Sequence, residues 1–75
     1  MFTREFTTEY GESFKITFLD DRKYRINNAK REYKGGETYV IRLFGERHFL
    51  SVKGIRPEDV KLSLGIGHSY LLTSL

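Results

Sequence analysis

The segment from residue 22 to residue 34 contains the side chains whose types and spacing could do chemistry. It places six Lys or Arg residues and two tyrosines among thirteen positions. Cations can neutralise phosphates and interleaved aromatic rings can stack bases, although the same composition also occurs on the solvated side of an ordinary loop. The residues predicted to bind nucleic acid are Arg22, Lys23, Arg25, Lys30, Arg31, Tyr33 and Lys34.

The positive charge of the chain is concentrated in this segment. Residues 22–34 hold six cations against one anion, whereas residues 1–21 hold two against five and residues 35–75 hold five against four. The net charge of +3 therefore comes from one basic stretch beside a weakly acidic remainder. A surface patch of a single sign attracts partners of the opposite charge, so we expect an acidic partner.

The sequence offers few residues for a metal or cofactor site. It has no cysteine, which removes disulfides, thiolate ligands and thiol nucleophiles. Only His48 and His68 could supply imidazole ligands, whereas a zinc site needs about four nitrogen or sulfur ligands. We predict no bound metal and no cofactor.

Two patterns that might indicate an enzyme fail on mechanism. Residues 67–71 begin like a hydrolase nucleophile elbow, but Leu71 stands where the sharp turn needs a glycine. The paired carboxylates Asp20–Asp21 and Glu58–Asp59 are adjacent in sequence and fall at turns, where such side chains bond backbone amides. We therefore predict a non-enzymatic binding protein.

Alternating polar and apolar residues predict the strands that position the basic segment. Residues 13–19 alternate clearly, Asp20–Asp21 predicts a turn, and residues 23–26 resume the alternation. On that strand Tyr24 and Ile26 would face the core, while Lys23 and Arg25 would face outward. Residues 29–34 are predicted as a loop or a single helical turn, which would leave Tyr33 free to stack on a base.

The second half of the chain predicts another hairpin and a short turn. Residues 38–44 and 48–52 form two apolar strands separated by residues 45–47, and the first is apolar on both faces, which favours a central strand. Pro57 predicts one helical turn before a strand at residues 60–64. The final residues either close the sheet or pack on a second subunit; the apolar side chains concerned are Tyr70, Leu71, Leu72 and Leu75.

Together these segments predict an all-β fold: one small barrel domain over residues 1–75, with five to seven short antiparallel strands and a helical turn near Pro57. Residues 54–62 resemble the end of Src-homology-3-like barrels, in which a proline-started turn precedes the last strand. Residues 14–25 are similar to the opening strands of Sm-like RNA-binding barrels, and Lys53–Gly54 could stand where that family has a late Arg-Gly. The resemblance implies a small barrel and a role in RNA binding.

Two functions remain open on the sequence alone. The first is nucleic-acid binding through the basic strand and loop. The second is a protein-interaction or inhibitor module of the kind that viruses and mobile elements encode, docking through an edge strand or the apolar C-terminal segment. The lack of cysteine, of a signal-peptide pattern and of any run of about 20 apolar residues favours a cytoplasmic protein without a membrane partner.

Overall fold

The computed structural model describes residues 1–65 and 67–74, and the fold is all-β. In the described residues it has eight strands and one short 3-10 turn at Pro57–Asp59, the turn that the sequence predicted. The strands are β1 Phe2–Thr8, β2 Ser13–Phe18, β3 Lys23–Ile26, β4 Tyr33–Lys34, β5 Thr38–Leu43, β6 Glu46–Val52, β7 Val60–Leu64 and β8 Leu72–Ser74. No helix in this part of the chain is long and apolar enough to cross a membrane.

The strands form two antiparallel sheets rather than one closed barrel. The first sheet has five strands in the order β4-β3-β2-β1-β8, and the second has three in the order β5-β6-β7. Over residues 1–65 and 67–74 no strand ladder joins the two sheets. One connection is near Gly35 and Gly36, whose amides donate to the carbonyls of Arg22 and Val52 at 2.7 and 2.9 Å. The other is the C-terminal segment, in which residues 68–70 bond to β7 and residues 72–74 pair with β1. Because single hydrogen bonds replace a ladder here, the predicted closure is not seen.

One hydrophobic core is shared by the inner faces of both sheets. The first sheet contributes Phe6, Phe14 and Ile16, and the second contributes Leu50 and Leu62, all at most 2% exposed. These residues alternate with solvent-facing ones along each strand, as expected for sheets with one buried face. The alternation also confirms that Tyr24 and Ile26 face the core.

The turn between β5 and β6 explains a difference from the predicted boundaries. β5 and β6 are joined by the two-residue turn Phe44–Gly45, with φ of 54° and 77°, so β6 begins at Glu46 rather than at residue 48. Phe44 accepts this left-handed conformation while its ring contacts those of Phe14 and His48 at 6.3 and 5.8 Å. A positive φ is unfavourable for a bulky residue such as Phe, so local preferences do not predict a turn at this position. Packing of the Phe44 ring against the core offsets that backbone cost.

The prediction that residues 38–44 form a central strand is wrong. β5 lies at an edge of the three-stranded sheet, and its solvent-facing Val40 is 56% exposed. Apolar residues on both faces of a strand indicated burial, but β-branched residues are also common on open strand surfaces because they suit extended backbone.

The C-terminal segment adds a strand to the first sheet. β8 pairs with β1, and Leu72 and Tyr70 pack against the protein's own core. Leu71 is 73% exposed, and Leu75 lies outside the described residues. The first alternative, a last strand that closes the sheet on itself, is seen only in part: the segment packs on the protein's own core, but β8 lies at an edge of the five-stranded sheet. Packing on a second subunit stays a prediction.

Candidate nucleic-acid interface

The predicted basic residues lie on β3, on β4 and in the loop between them. Lys23 and Lys34 are directly opposed across the β3–β4 pair, and the neighbouring opposed pair, Tyr24 and Tyr33, is buried. Successive side chains on a strand point to opposite faces, so both lysines and Arg25 project from the solvent side of the sheet. The strand part of the sequence prediction therefore has the expected geometry.

Glu32 is the acidic residue that contacts this surface. Its carboxylate lies 3.1 Å from an Arg25 terminal nitrogen and 4.0 Å from the Lys23 ammonium, and all three side chains are more than 40% exposed. Exposed ion pairs of this kind contribute at most about 1 kcal/mol each. Over residues 1–65 and 67–74, Arg22, Lys30, Arg31 and Lys34 form no salt bridge, so most of the positive charge remains available to a ligand.

The expectation that Tyr33 is free to stack on a base is wrong. Its side chain is 8% exposed, and its ring stacks on Tyr24 with centroids 5.5 Å apart. The Tyr39 ring meets it edge-on at 4.8 Å, and the Arg31 guanidinium covers it at 4.8 Å from the centroid. The prediction placed Tyr33 in a loop or helical turn at residues 29–34, which would have left its ring exposed. Tyr33 instead belongs to β4, and the pairing of β4 with β3 turns the ring toward the core.

The rest of the loop follows a turn that begins at Asn27. This residue has φ of 51°, and its side-chain oxygen accepts the Lys15 amide at 2.9 Å. The Ala29 amide donates to the Ile26 carbonyl at 3.0 Å and closes this turn. Lys30 and Arg31 follow it as exposed residues. Of the two alternatives predicted for residues 29–34, a loop or a single helical turn, the loop is seen up to Glu32, and Tyr33–Lys34 form β4.

A groove opens beside the basic face, between the ends of the two sheets. It has a volume of about 520 Å³, within the range of about 300–1,000 Å³ usual for small-ligand sites. Phe2 and Phe18 line it with their rings stacked at 5.2 Å, and Phe2 is 45% exposed. Val52 at the end of β6 and Ile55 in the segment that follows it add apolar surface. The groove thus offers an accessible aromatic ring, which Tyr33 does not.

The charged residues that line the groove are all cations. Arg22 and Lys23 come from the basic segment, and Lys53 directly follows β6. Arg22 and its neighbour Asp21 have left-handed φ values of 61° and 63°, the paired conformation of a tight hairpin turn. For an arginine this conformation costs roughly 1 kcal/mol, and such costs are frequent at ligand sites.

Tyr24 also lines this groove and carries an unmet hydrogen bond. Its side chain is 1% exposed, and in the described part of the chain no group lies within hydrogen-bond distance of its hydroxyl. Burial, followed by the proximity of Tyr39, Tyr33 and Glu37, raises the pKa of this phenol. The hydroxyl therefore keeps its proton at neutral pH and can act as a donor.

The two histidines lie away from this region, around Tyr70. His48 is 1% exposed, and its Nδ1 is 3.1 Å from the Glu46 carbonyl, an acceptor that requires this nitrogen to carry the proton. Its Nε2 then accepts from the Tyr70 hydroxyl at 3.3 Å. Desolvation, followed by Glu46 and Glu12, raises the pKa of Tyr70, which keeps that donor protonated. His68 is exposed and contacts the Tyr10 hydroxyl at 3.3 Å.

The residues predicted to bind did not include Phe2 or Lys53. Lys53 entered the sequence analysis only through the similarity of Lys53–Gly54 to the late Arg-Gly of Sm-like barrels, and Phe2 was given no binding role. Both reach the groove because β1 pairs with β2 and β6 ends beside Gly35–Gly36. The pairing of strands distant in sequence is therefore what assembles this part of the surface.

The chain was compared with protein-family models, curated proteins and solved structures, and no match was found in any of the three. The fold and the site define a small all-β antiparallel protein with one strongly basic face.

Proposed function

We propose that this protein binds nucleic acid through the basic face formed by β3, β4 and the loop between them. The carrying observation is the directly opposed pair Lys23 and Lys34. Like charges at directly opposed positions destabilise a sheet, and Glu32 contacts only Lys23 of the two. A polyanion beside both lysines would remove this repulsion.

The arrangement of the remaining cations supports the same function. Arg22, Lys30 and Arg31 are further exposed cations of the same segment. Arg31 lies over the Tyr33 and Tyr39 rings at 4.8 and 5.8 Å, which orients its guanidinium while leaving the residue exposed. The similarity of residues 14–25 to Sm-like RNA-binding barrels also fits this proposal. The protein acts as a binding protein and not as an enzyme.

Binding to such a surface depends on phosphate contacts and hence on salt. Each phosphate neutralised contributes about 0.9 to the log–log salt slope on duplex DNA and about 0.7 on single strands. Fluorescence anisotropy with random single- and double-stranded oligonucleotides tests the proposal. The titrations cover roughly 50 to 200 mM salt, a range over which complexes held by phosphate contacts lose much of their affinity. We expect a dissociation constant below about 100 µM at low salt and a slope of about −3 or steeper. No binding at 100 µM would reject the function.

A second candidate function is supported by the edge strand β5. Its Val40 is directly opposed to Phe49 of β6, and the two side chains are 56% and 41% exposed. In the described part of the chain β5 has a strand partner on one side only, so its other edge can accept a strand from another protein. Replacing Val40 by Lys tests this function, because a charge on an edge strand blocks strand addition. Loss of partner capture with oligonucleotide binding unchanged would support it.

A further inference from the structure

We infer that the groove beside the basic face receives an unstacked base of a single-stranded nucleic acid, with Phe2 as the stacking platform. This inference rests on the proposed function and adds to it the ligand's strand state and the location of base contact. Phe2 takes the base-stacking role that the sequence had predicted for Tyr33, whose ring is buried.

The aromatic surface in the groove has the properties that base stacking requires. Phe2 is 45% exposed, and its ring is supported from behind by Phe18 at a centroid distance of 5.2 Å with an interplanar angle of 30°. A ring held in this way presents an ordered face to a ligand at little cost in side-chain entropy. Stacking of bases on such rings is tolerant of sequence because every base has a π-face.

The charge of the groove selects an anionic ligand with an apolar part. Arg22, Lys23 and Lys53 line it, and the described lining includes no carboxylate. The nearby carboxylate of Asp59 accepts the Arg56 amide at 3.3 Å and is not among the lining groups. A nucleotide fits this combination of surfaces. Its base would contact the apolar, aromatic part of the groove, and its phosphate would contact the cations around it.

Lys23 connects the groove with the basic face, since it lines the groove and is opposed to Lys34 on the sheet. Phe2 is opposed to Phe18 and Phe18 to Tyr24, so the two phenylalanines lie on the core side of this sheet and the lysine pair on its solvent side. A strand whose phosphates contact the lysines would therefore reach the groove by passing around the end of β3 at Lys23. In a duplex the bases are paired and stacked on each other. Only a single strand can therefore place a base in the groove without the free-energy cost of unpairing it.

The test compares two single-stranded probes with the same number of phosphates. One is an oligothymidylate and the other is an abasic oligonucleotide of equal length, each titrated against the wild type, Phe2→Leu and Phe49→Leu. Phe49 is the matched control because it is 41% exposed but lies on β6, away from the groove lining. Circular dichroism confirms that each variant is folded.

We expect the wild type to bind the base-containing probe about ten-fold more tightly than the abasic one, as one stacked base would give. Phe2→Leu should reduce this ratio to about one without changing abasic binding, and Phe49→Leu should leave the ratio intact. A wild-type ratio of one, or a ratio unaffected by Phe2→Leu, overturns the groove inference while the binding function stands. Absence of binding to both probes overturns the proposed function and the inference with it.

Discussion

Lys23 and Lys34 are directly opposed on the solvent side of the β3–β4 pair, while Tyr24 and Tyr33, the next opposed pair, stack against each other in the core at 5.5 Å. The buried pair fixes the register, because a slip of β4 by one residue would move Tyr33 to the outside. The core therefore holds two positive charges next to each other, although their repulsion acts against the pairing.

Replacing Lys34 by Glu should stabilise the protein and weaken its binding to nucleic acid. The substitution converts a like-charge cross-strand pair into an opposite-charge pair, worth about 0.5 kcal/mol in the free energy of unfolding. The contact that Lys34 makes with the Tyr39 hydroxyl uses its backbone amide and is retained. Urea unfolding and anisotropy measure the two effects. A variant that is less stable than the wild type contradicts the account of the pair.

Replacing Glu32 by Gln should strengthen binding. Loss of the carboxylate releases Arg25 and Lys23 from their contacts at 3.1 and 4.0 Å, at a stability cost of at most about 1 kcal/mol for each pair. We expect a steeper salt slope, by about 0.7 for each added phosphate contact on a single strand.

The matched control for this change is Glu46→Gln. Glu46 is also exposed, but it begins β6 at the hairpin of the other sheet. The same change in net charge at that position should leave the salt slope unchanged. Equal effects from the two variants would mean that net charge, not the basic face, controls the affinity.

Tyr24 should make the protein sensitive to alkaline pH. Its pKa is raised in the folded state by burial, so the stability it contributes is complete below the unfolded value of about 10 and is lost as pH rises above that value toward the folded pKa. The loss amounts to about 1.4 kcal/mol per pH unit for one group. Urea unfolding between pH 8 and 11 measures it.

Tyr24→Phe is the variant that isolates this titration. It should flatten the alkaline loss and, by removing a buried hydroxyl without a partner, leave stability at pH 7 equal to the wild type or up to about 1 kcal/mol higher. A variant with the wild-type alkaline profile would show that Tyr24 does not carry the effect.

Tyr70→Phe should destabilise the fold, because it removes the donor to the Nε2 atom of buried His48. An unsatisfied buried acceptor costs about 1–3 kcal/mol. Tyr10→Phe removes a similar contact, 3.3 Å to His68, from an exposed pair and should cost less than about 0.5 kcal/mol. Thermal or urea unfolding compares the two, and equal losses would argue against the hydrogen bond assigned to His48.

The sequence predicted the parts of this surface that depend on local alternation. Residues 23–26 have the period of a half-buried strand, and Tyr24, Lys23 and Arg25 face the predicted directions. Tyr33 was misplaced because β4 has only two residues, too few for a periodic pattern, and its pairing with β3 decides where the ring points. The groove could not be predicted, since Phe2 and Lys53 meet only through the packing of two separate sheets.

The central claim is that the β3–β4 face carries the binding, and a comparison of two charge-reversed variants tests it most directly. Lys30→Glu/Lys34→Glu reverses two exposed cations whose side chains form no salt bridge in the described residues. Arg42→Glu/Arg47→Glu reverses a directly opposed, exposed pair on β5 and β6 and gives the same net charge.

The measurement is the salt-dependent affinity of each variant for a single-stranded oligonucleotide. We expect the lysine variant to lose at least about ten-fold in affinity at 50 mM salt and about 1.4 from its salt slope, with much smaller changes in the arginine variant. Equal losses in the two variants, or wild-type affinity in the lysine variant, would contradict the assignment of binding to this face.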